Sequence, residues 1–401
     1  MTSVRPHVLM VPAWFPTPAE PLNGVFCWEH ARALQEGGFR VGVLFPDLRN
    51  PRGWQGGRGL AQNRGQARNR LWDGLPIHYW HGWAPPRLLR GRARLFCWAA
   101  RRLARAYVRA HGRPDIIQAH GALWAGLAAD ELAQRYAVPW VVTEHFGGFL
   151  RGGVPRRYVR MGERSWARAS RATAVSTHLR QRMVDTPGVA RVALTPNPVA
   201  EDLVPEAVAR TGEGITRWLA LGRLVPQKGF RQLLAAFARA FGGRTDVELA
   251  IGGQGPLRGE LGRLAEAWGL AGQVRFLGAL DRAQVGEALA RTDFFVHASH
   301  WETFGVVMLE ALAAGVPVVA VDSGGPRDFL TRERGRLVPP GNAHALAEAM
   351  ATMEAERAGW DEARPAIRRA ILGEYGRSAV AARYGEIYAP LLAGGPRRAA
   401  S

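Results

Sequence analysis

Lysine is all but missing from this chain of 401 residues: of its 53 basic residues, 52 are arginine and one is Lys228. Cysteine is nearly as scarce. Cys27 and Cys97 cannot build a disulfide framework, and two thiols fit a reducing, cytoplasmic setting. No apolar run approaches the roughly 18 residues of a membrane-spanning helix. The apolar opening VLMVPAW (8–14) is broken by Pro12 and lacks a small-residue cleavage pattern, so it reads as a first strand and not as a signal peptide. Acidic residues are short in one half only. Residues 1–200 hold 29 Arg against 11 acids, a net 29 − 11 = +18, whereas residues 201–401 hold 24 basic against 23 acidic residues, a net 24 − 23 = +1. Whatever the positive field attracts, it attracts to the first half: an anionic membrane surface, a phosphorylated acceptor or nucleic acid. No Asp-x-Asp occurs anywhere.

The scarcity of lysine gives its survivor meaning. Arginine presents a planar fork, whereas lysine is a compact ammonium on a thin stem. A lone lysine in an arginine-saturated chain points to a narrow site that needs a point charge, such as a phosphate clamp. Lys228 sits in GRLVPQKGF (222–230).

What is present is ordinary globular chemistry, with 47% hydrophobic and 22% charged residues, in a chain long enough for two domains. Short apolar runs alternate with helical patterns in both halves, which predicts parallel sheets flanked by helices. Strands are expected at 8–14, 40–46, 115–120, 140–145 and 172–176, then at 217–222, 247–253, 274–278, 294–299 and 317–321. Two Rossmann-like domains follow, over 1–205 and 206–377, with a last helical segment at 378–401 packing back on the first.

The stretch 49–73, rich in Gly, Asn and Arg, reads as a mobile loop. It offers only Trp54 and Trp72 for base stacking, so nucleic acid is not the expected partner. Two helical stretches carry arginine stripes: 93–110, with Arg94, Arg101, Arg105 and Arg109 opposite an apolar stripe, and 156–171, with Arg157, Arg160, Arg164, Arg168 and Arg171. Such faces are either solvated or peripheral contacts to anionic lipid.

The densest chemistry lies in ASHWETFGVVMLEALAAGVPVVAVDSGGP (298–326). A strand end, a turn bearing Glu302, an N-cap at Thr303 and a helix over 304–314 are expected. The first turn of such a helix offers unpaired N–H groups and a positive dipole end, an anion site, and Gly305 lets a ligand approach the backbone. Glu302 lies before the helix and Glu310 about two turns inside it. Carboxylates accept paired hydroxyls, so one acid for a ribose and one for a hexose is the division this spacing invites.

These motifs resemble glycosyltransferase family 4. Glu302 to Glu310 with the embedded Phe–Gly is similar to that family's Glu-x7-Glu signature. GRLVPQKGF resembles its diphosphate clamp, and IGGQGP (251–256) its Gly-x-Gly-Pro turn. The resemblance implies a GT-B fold, two α/β/α domains facing each other across a deep cleft, with the C-terminal helix crossing back to the first. It also implies a retaining transferase that takes a hexosyl unit from a UDP-, GDP- or ADP-sugar with no cofactor and no metal. Gly222, Arg223, Lys228, Gly253, Gly255, Phe304, Gly305, Val306, Val307 and Glu310 would bind the donor. His120, Arg223, Lys228 and Glu302 would be catalytic, and Asn23, Gly24, Glu144 and His145 would meet the acceptor. Glycan or lipid-linked acceptors in cell-surface polysaccharide or lipopolysaccharide synthesis are the expected class, at the inner face of the cytoplasmic membrane. The alternatives are a soluble small-molecule acceptor or a non-hydrolysing sugar-nucleotide epimerase.

Overall fold

The computed structural model describes residues 5–17, 20–49, 66–83, 89–189, 191–204 and 214–394. It divides into two units, Met1–Pro198 with Val380–Ser401, and Val199–Ala379. The joint falls at Pro198/Val199, ahead of the expected 205/206. Its position has a local cause: the Val199 N–H donates to the Tyr375 carbonyl, the Arg377 N–H to Glu201 Oε1 at 2.5 Å, and the Arg377 guanidinium to Asp202, so residues from 199 onward are tied to the second unit.

In the first unit, β1 (His7–Pro12), β2 (Arg40–Arg49), β3 (Gln66–Trp72), β4 (Leu75–Trp83), β5 (Ile116–His120), β6 (Trp140–Glu144), β7 (Arg171–Ala174) and β8 (Val192–Leu194) form one sheet in the order β3-β4-β2-β1-β5-β6-β7-β8. All neighbours are parallel except β3 and β4. The central strands are buried along their whole length, as continuous apolar runs in a doubly covered parallel sheet must be. The stretch expected to be a mobile loop is corrected in part: Gln66–Trp72 pairs antiparallel with Leu75–Trp83 across a two-residue turn, Asp73–Gly74, both at positive φ. This is the Asp–Gly hairpin chemistry that the surrounding polar composition masks. Residues 50–65, including Trp54, lie outside the described residues.

Helix α1 (Val25–Glu36) and the last helix of the chain (Arg377–Ala393) cover one side of this sheet. Cys27, Trp28, Ala31 and Leu34 share a core with Val380, Tyr384, Ile387 and Tyr388. The expected return of the C-terminal helix to the first domain is therefore present. Helices α2 (Leu89–His111), α3 (Trp124–Tyr136), the short α4 (Gly148–Arg151), α5 (Arg156–Arg168) and α6 (Thr177–Val184) follow, α3 packing between α2 and α5. The two arginine-striped helices thus flank α3 in a single layer.

The second unit holds β9 (Thr216–Leu221), β10 (Val247–Gly252), β11 (Val274–Gly278), β12 (Phe294–His297), β13 (Val318–Val321) and β14 (Gly335–Val338), all parallel, in the order β11-β10-β9-β12-β13-β14. Helices α7 (Phe230–Phe241), α8 (Arg258–Ala267), α9 (Arg282–Ala290), α10 (Val306–Ala313), α11 (Ala343–Ala355) and α12 (Arg357–Tyr375) connect and cover them, and Arg377–Ala393 is α13. β4, β8 and β14 were not expected from the sequence. Strand order reverses between β1 and β5 in one sheet and between β9 and β12 in the other. Ligands of open α/β sheets bind beyond the strand C-termini at such switch points.

Candidate active site

At the second switch point, β9 ends at Leu221 and β12 at His297, and the loops beyond them are stitched together. Gly229 is left-handed (φ 66°), and a Cβ there would lie 2.0 Å from the Ala298 carbonyl oxygen. The His300 N–H donates to the Gln227 carbonyl at 2.9 Å, the Ser299 hydroxyl to the same carbonyl at 3.3 Å, and the Gln227 amide to the Trp301 carbonyl at 3.2 Å. These contacts bring the turn Pro226–Lys228 against the segment carrying Glu302, 74 residues later. Lys228 Nζ donates to Glu302 Oε1, and His297 Nε2 reaches the same oxygen at 2.8 Å. The Glu302 side chain is 14% exposed and that of Lys228 19%. Burial pushes the Glu302 carboxyl upward, but the hydrogen bond from His297 and the charge of Lys228 outweigh it and bring it down to about 2. His297 is the site residue that sequence reasoning missed; a histidine closing an apolar strand was its only signal.

The glycines expected to admit a donor have a nearer occupant. A Cβ on Gly253, at φ 136°, would lie 1.9 Å from the Gly222 carbonyl oxygen, and one on Gly255 would lie 2.3 Å from the Leu224 carbonyl oxygen. The Leu224 N–H donates to the Gln254 carbonyl at 2.8 Å. The glycines thus let the loops after β9 and β10 abut, which fixes Gly222 beneath the Lys228 stem. Arg223 is exposed and makes no ion pair with any described residue.

The helix expected over 304–314 starts later. Gly305 (φ 106°) caps Val306–Ala313, so Thr303 is not the N-cap and Glu310 stands a little over one turn inside, not two. A left-handed cap without a side-chain hydrogen bond leaves the first turn, at Val306 and Val307, with no side-chain acceptor of its own. Phe304 is core: its ring meets Phe329 at 5.4 Å and Tyr375 at 6.1 Å, and Gly325 lies against its backbone.

In the first unit, the C-terminal ends of β5 and β6 place His120 and His145 side by side, His120 Nδ1 and His145 Nε2 being 2.9 Å apart. His30 of α1 lies over both, its ring 4.8 Å from that of His120 and 5.4 Å from that of His145. It bonds Asn197 Oδ1 at 3.1 Å and Tyr384 Oη at 3.1 Å. Desolvation takes His30 down to about 3 and lowers His120 and His145 well below the ordinary imidazole value. Tyr384, Thr143, Thr173, Gln118 and Tyr388 continue the network beneath them, from the last helix into the sheet.

Glu144, expected at the acceptor, has no exposed surface. Its carboxylate accepts from the backbone N–H groups of Ala122 (3.0 Å), His145 (2.9 Å) and Phe146 (2.8 Å) and from Trp166 Nε1 (3.1 Å). It ties the loops after β5 and β6 to α5, and so sets where His120 and His145 stand. Asn23 is exposed and donates to Glu20 Oε2 at 3.0 Å. Gly24, at φ 72°, lets α1 begin against the Trp14–Phe15 backbone, where a Cβ would sit 2.4 Å from the Trp14 carbonyl carbon. Among the described residues, one group could hold a metal: Cys27, His120 and His145, all buried, with one ligand atom each within 4.8 Å of one another.

Two family descriptions match this chain: "Glycosyl transferases group 1" over residues 211–378 and "Glycosyltransferase Family 4" over 24–203. The chain belongs to glycosyltransferase family 4. It is similar to a glycogen synthase of Mycobacterium tuberculosis, 28% identical over 69% of each chain, and to the lipopolysaccharide core biosynthesis glycosyltransferase LpsE of Rhizobium meliloti, 35% identical over 44% of this chain and 50% of LpsE. Its fold matches that of Anabaena HepE, solved with UDP and glucose, at a TM-score of 0.70 and 18% identity, covering 96% of this chain and 100% of HepE. The protein is a glycosyltransferase of the GT-B type that uses nucleotide sugars.

Proposed function

We propose that the chain transfers a hexosyl unit, with retention and without a metal, from a UDP-, GDP- or ADP-sugar to a glycan, glycolipid or other lipid-linked acceptor in cell-surface polysaccharide or lipopolysaccharide synthesis. The observation that carries this reading is the Lys228–Glu302–His297 cluster at the β9/β12 switch point, beside the N-terminus of α10. Breaking a glycosyl–phosphate bond leaves negative charge on the diphosphate. Lys228, the exposed Arg223 and the first N–H groups of α10, at Val306 and Val307, supply fixed positive charge for it, as a bound cation would elsewhere. Glu302 accepts hydroxyls of the donor sugar and Glu310 those of the ribose. The proposed retaining route is attack and departure on the same face of the sugar, by resemblance to the family. On the acceptor side, His120 and His145 stand at strand ends, with Asn23 and Gly24 opening α1 nearby.

The acceptor reading draws on the likeness to LpsE and on the basic layer of the first unit. Arg94, Arg102, Arg105 and Arg109 of α2 and Arg157, Arg160 and Arg164 of α5 are exposed, and none forms an ion pair with a described residue. Trp98, 41% exposed, sits among them with Arg102 5.9 Å from its ring. Among the described residues no helix is long and apolar enough to cross a membrane; the association proposed is peripheral, through this basic layer, at the cytoplasmic face. The test is transfer or hydrolysis of radiolabelled UDP-, GDP- and ADP-sugars with membrane extract as acceptor, with and without EDTA. Turnover of one donor in excess EDTA, with the anomeric configuration kept in the product, is the expected result. A rate restored only by magnesium or manganese would contradict it.

A further inference from the structure

Glu302 is gripped on one oxygen only. Lys228 Nζ and His297 Nε2 both reach Oε1, and Oε2 takes part in neither bond. The charged and titratable groups that act on this carboxylate are His297 from β12 and Lys228 from the turn after β9. Charge balances while Lys228 belongs to Glu302. On the reading above, the same ammonium must also serve the donor diphosphate. A shielded carboxylate that loses a share of its cation is costly unless another partner takes up the charge. His297 is that partner: it is 4% exposed, and its Nε2 already faces Oε1.

We propose that His297 is a positioning residue that takes over Glu302 when the donor diphosphate draws on Lys228, accepting a proton from solvent as the donor binds and thereby keeping Glu302 ionised and aimed. Before binding, a neutral imidazole donates its Nε2–H to Oε1. After binding, Nδ1 has gained the proton, and an imidazolium–carboxylate pair replaces the ammonium–carboxylate pair. One proton enters and no covalent bond of the donor changes. The inference rests on the proposed donor site but concerns a residue and a protonation step which that reading does not contain.

Calorimetric titration of the full chain with UDP-glucose, GDP-mannose and ADP-glucose at pH 7.5, in buffers of different ionisation enthalpy, counts the protons. Intact nucleotide sugars are the right probes, because neither phosphate titrates in this range. For the donor that binds, an uptake approaching about one proton is expected, falling to near zero in His297→Gln, which keeps an N–H toward Oε1 but holds no extra proton. The same variant should lower kcat by roughly tenfold or more while donor KM moves by less than about threefold. If that variant folds poorly, Glu302→Gln asks the same question, since removing the carboxylate charge removes the reason for the proton. An equal proton count in the wild type and both variants would overturn the inference while leaving the donor site standing. Absence of binding by all three nucleotide sugars to the wild type would overturn the donor site and the inference together.

Discussion

The two switch points of this protein solve opposite electrostatic problems. At the strand ends beside the β1/β5 switch point, imidazoles, hydroxyls and amides are hydrogen-bonded among themselves, and burial keeps the three histidines neutral. At β9/β12 the side chains are an ammonium and a carboxylate locked to one another, with the carboxyl held near 2. The distribution inverts the overall charge. The half with a net charge of +18 displays exposed arginines on outer helices and keeps its strand-end histidines uncharged, whereas the half with a net +1 concentrates charge at its site. Net charge therefore describes what a domain meets at its surface, and site charge describes what its chemistry needs.

The comparison breaks most sharply at Lys228. Lys228→Ala should lower kcat by about a hundredfold or more, because the leaving diphosphate loses its point charge and Glu302 loses its cation. Lys228→Arg should also be poor, since the stem lies over Gly222, where a Cβ would stand 3.7 Å from Lys228 Cδ. Turnover within about threefold of wild type at saturating donor would remove Lys228 from the site.

The next largest effect separates the two acids. Glu310→Ala should weaken binding of the bare nucleoside diphosphate, on the order of tenfold, whereas Glu302→Ala should leave that affinity nearly intact and damage transfer. Calorimetry with the diphosphate reads the difference, and equal losses would mean that ribose and hexose are not divided between them.

Acid should dissolve the two sites in sequence. His30 is held at about 3 in the folded chain against an ordinary 6.5, so the unfolded state binds the extra proton below 6.5. The first unit then loses up to about 1.4 kcal/mol per pH unit for each such histidine as pH falls through that window. Glu302 has the same sign but a later onset: its contribution is complete above 4.5 and lost toward about 2. Hydrogen exchange followed by mass spectrometry between pH 7 and 5 should show β1, β5 and β6 losing protection before β9 and β12. The reverse order would mean that the histidines are not buried neutral.

The smallest effect concerns the basic layer. Sedimentation with phosphatidylglycerol vesicles is expected at low salt, with release at high salt, each engaged arginine contributing about 1 kcal/mol. Reversing Arg94, Arg105 and Arg109 should weaken it more than reversing Arg101, which Glu131 already partners at 3.0 Å. Indifference to vesicle charge would favour a soluble acceptor.

Much of this was legible in one dimension, for identifiable reasons. Apolar runs report parallel strands because such strands are buried on both faces, and the lone lysine was conspicuous because arginine fills every other basic position. The Gln66–Trp72 strand was hidden because its face is polar and it is recognised only through its partner. The helix start was misplaced by two residues because a left-handed glycine, not Thr303, ends the preceding turn.

The sequence by itself determined the two α/β units, the uneven charge and the singling out of Lys228, since these follow from periodicity and residue chemistry along the chain. Only the tertiary structure decided that Lys228 and His297 share one oxygen of Glu302, and that Glu144 is spent on its own loops. It alone also decided that Gly253 and Gly255 make room for backbone and that Tyr384 closes a histidine cluster begun by His30. Each of these is a contact between segments far apart in sequence, fixed by strand order and by which loops abut at a switch point, and no local pattern encodes which distant partner a side chain will meet.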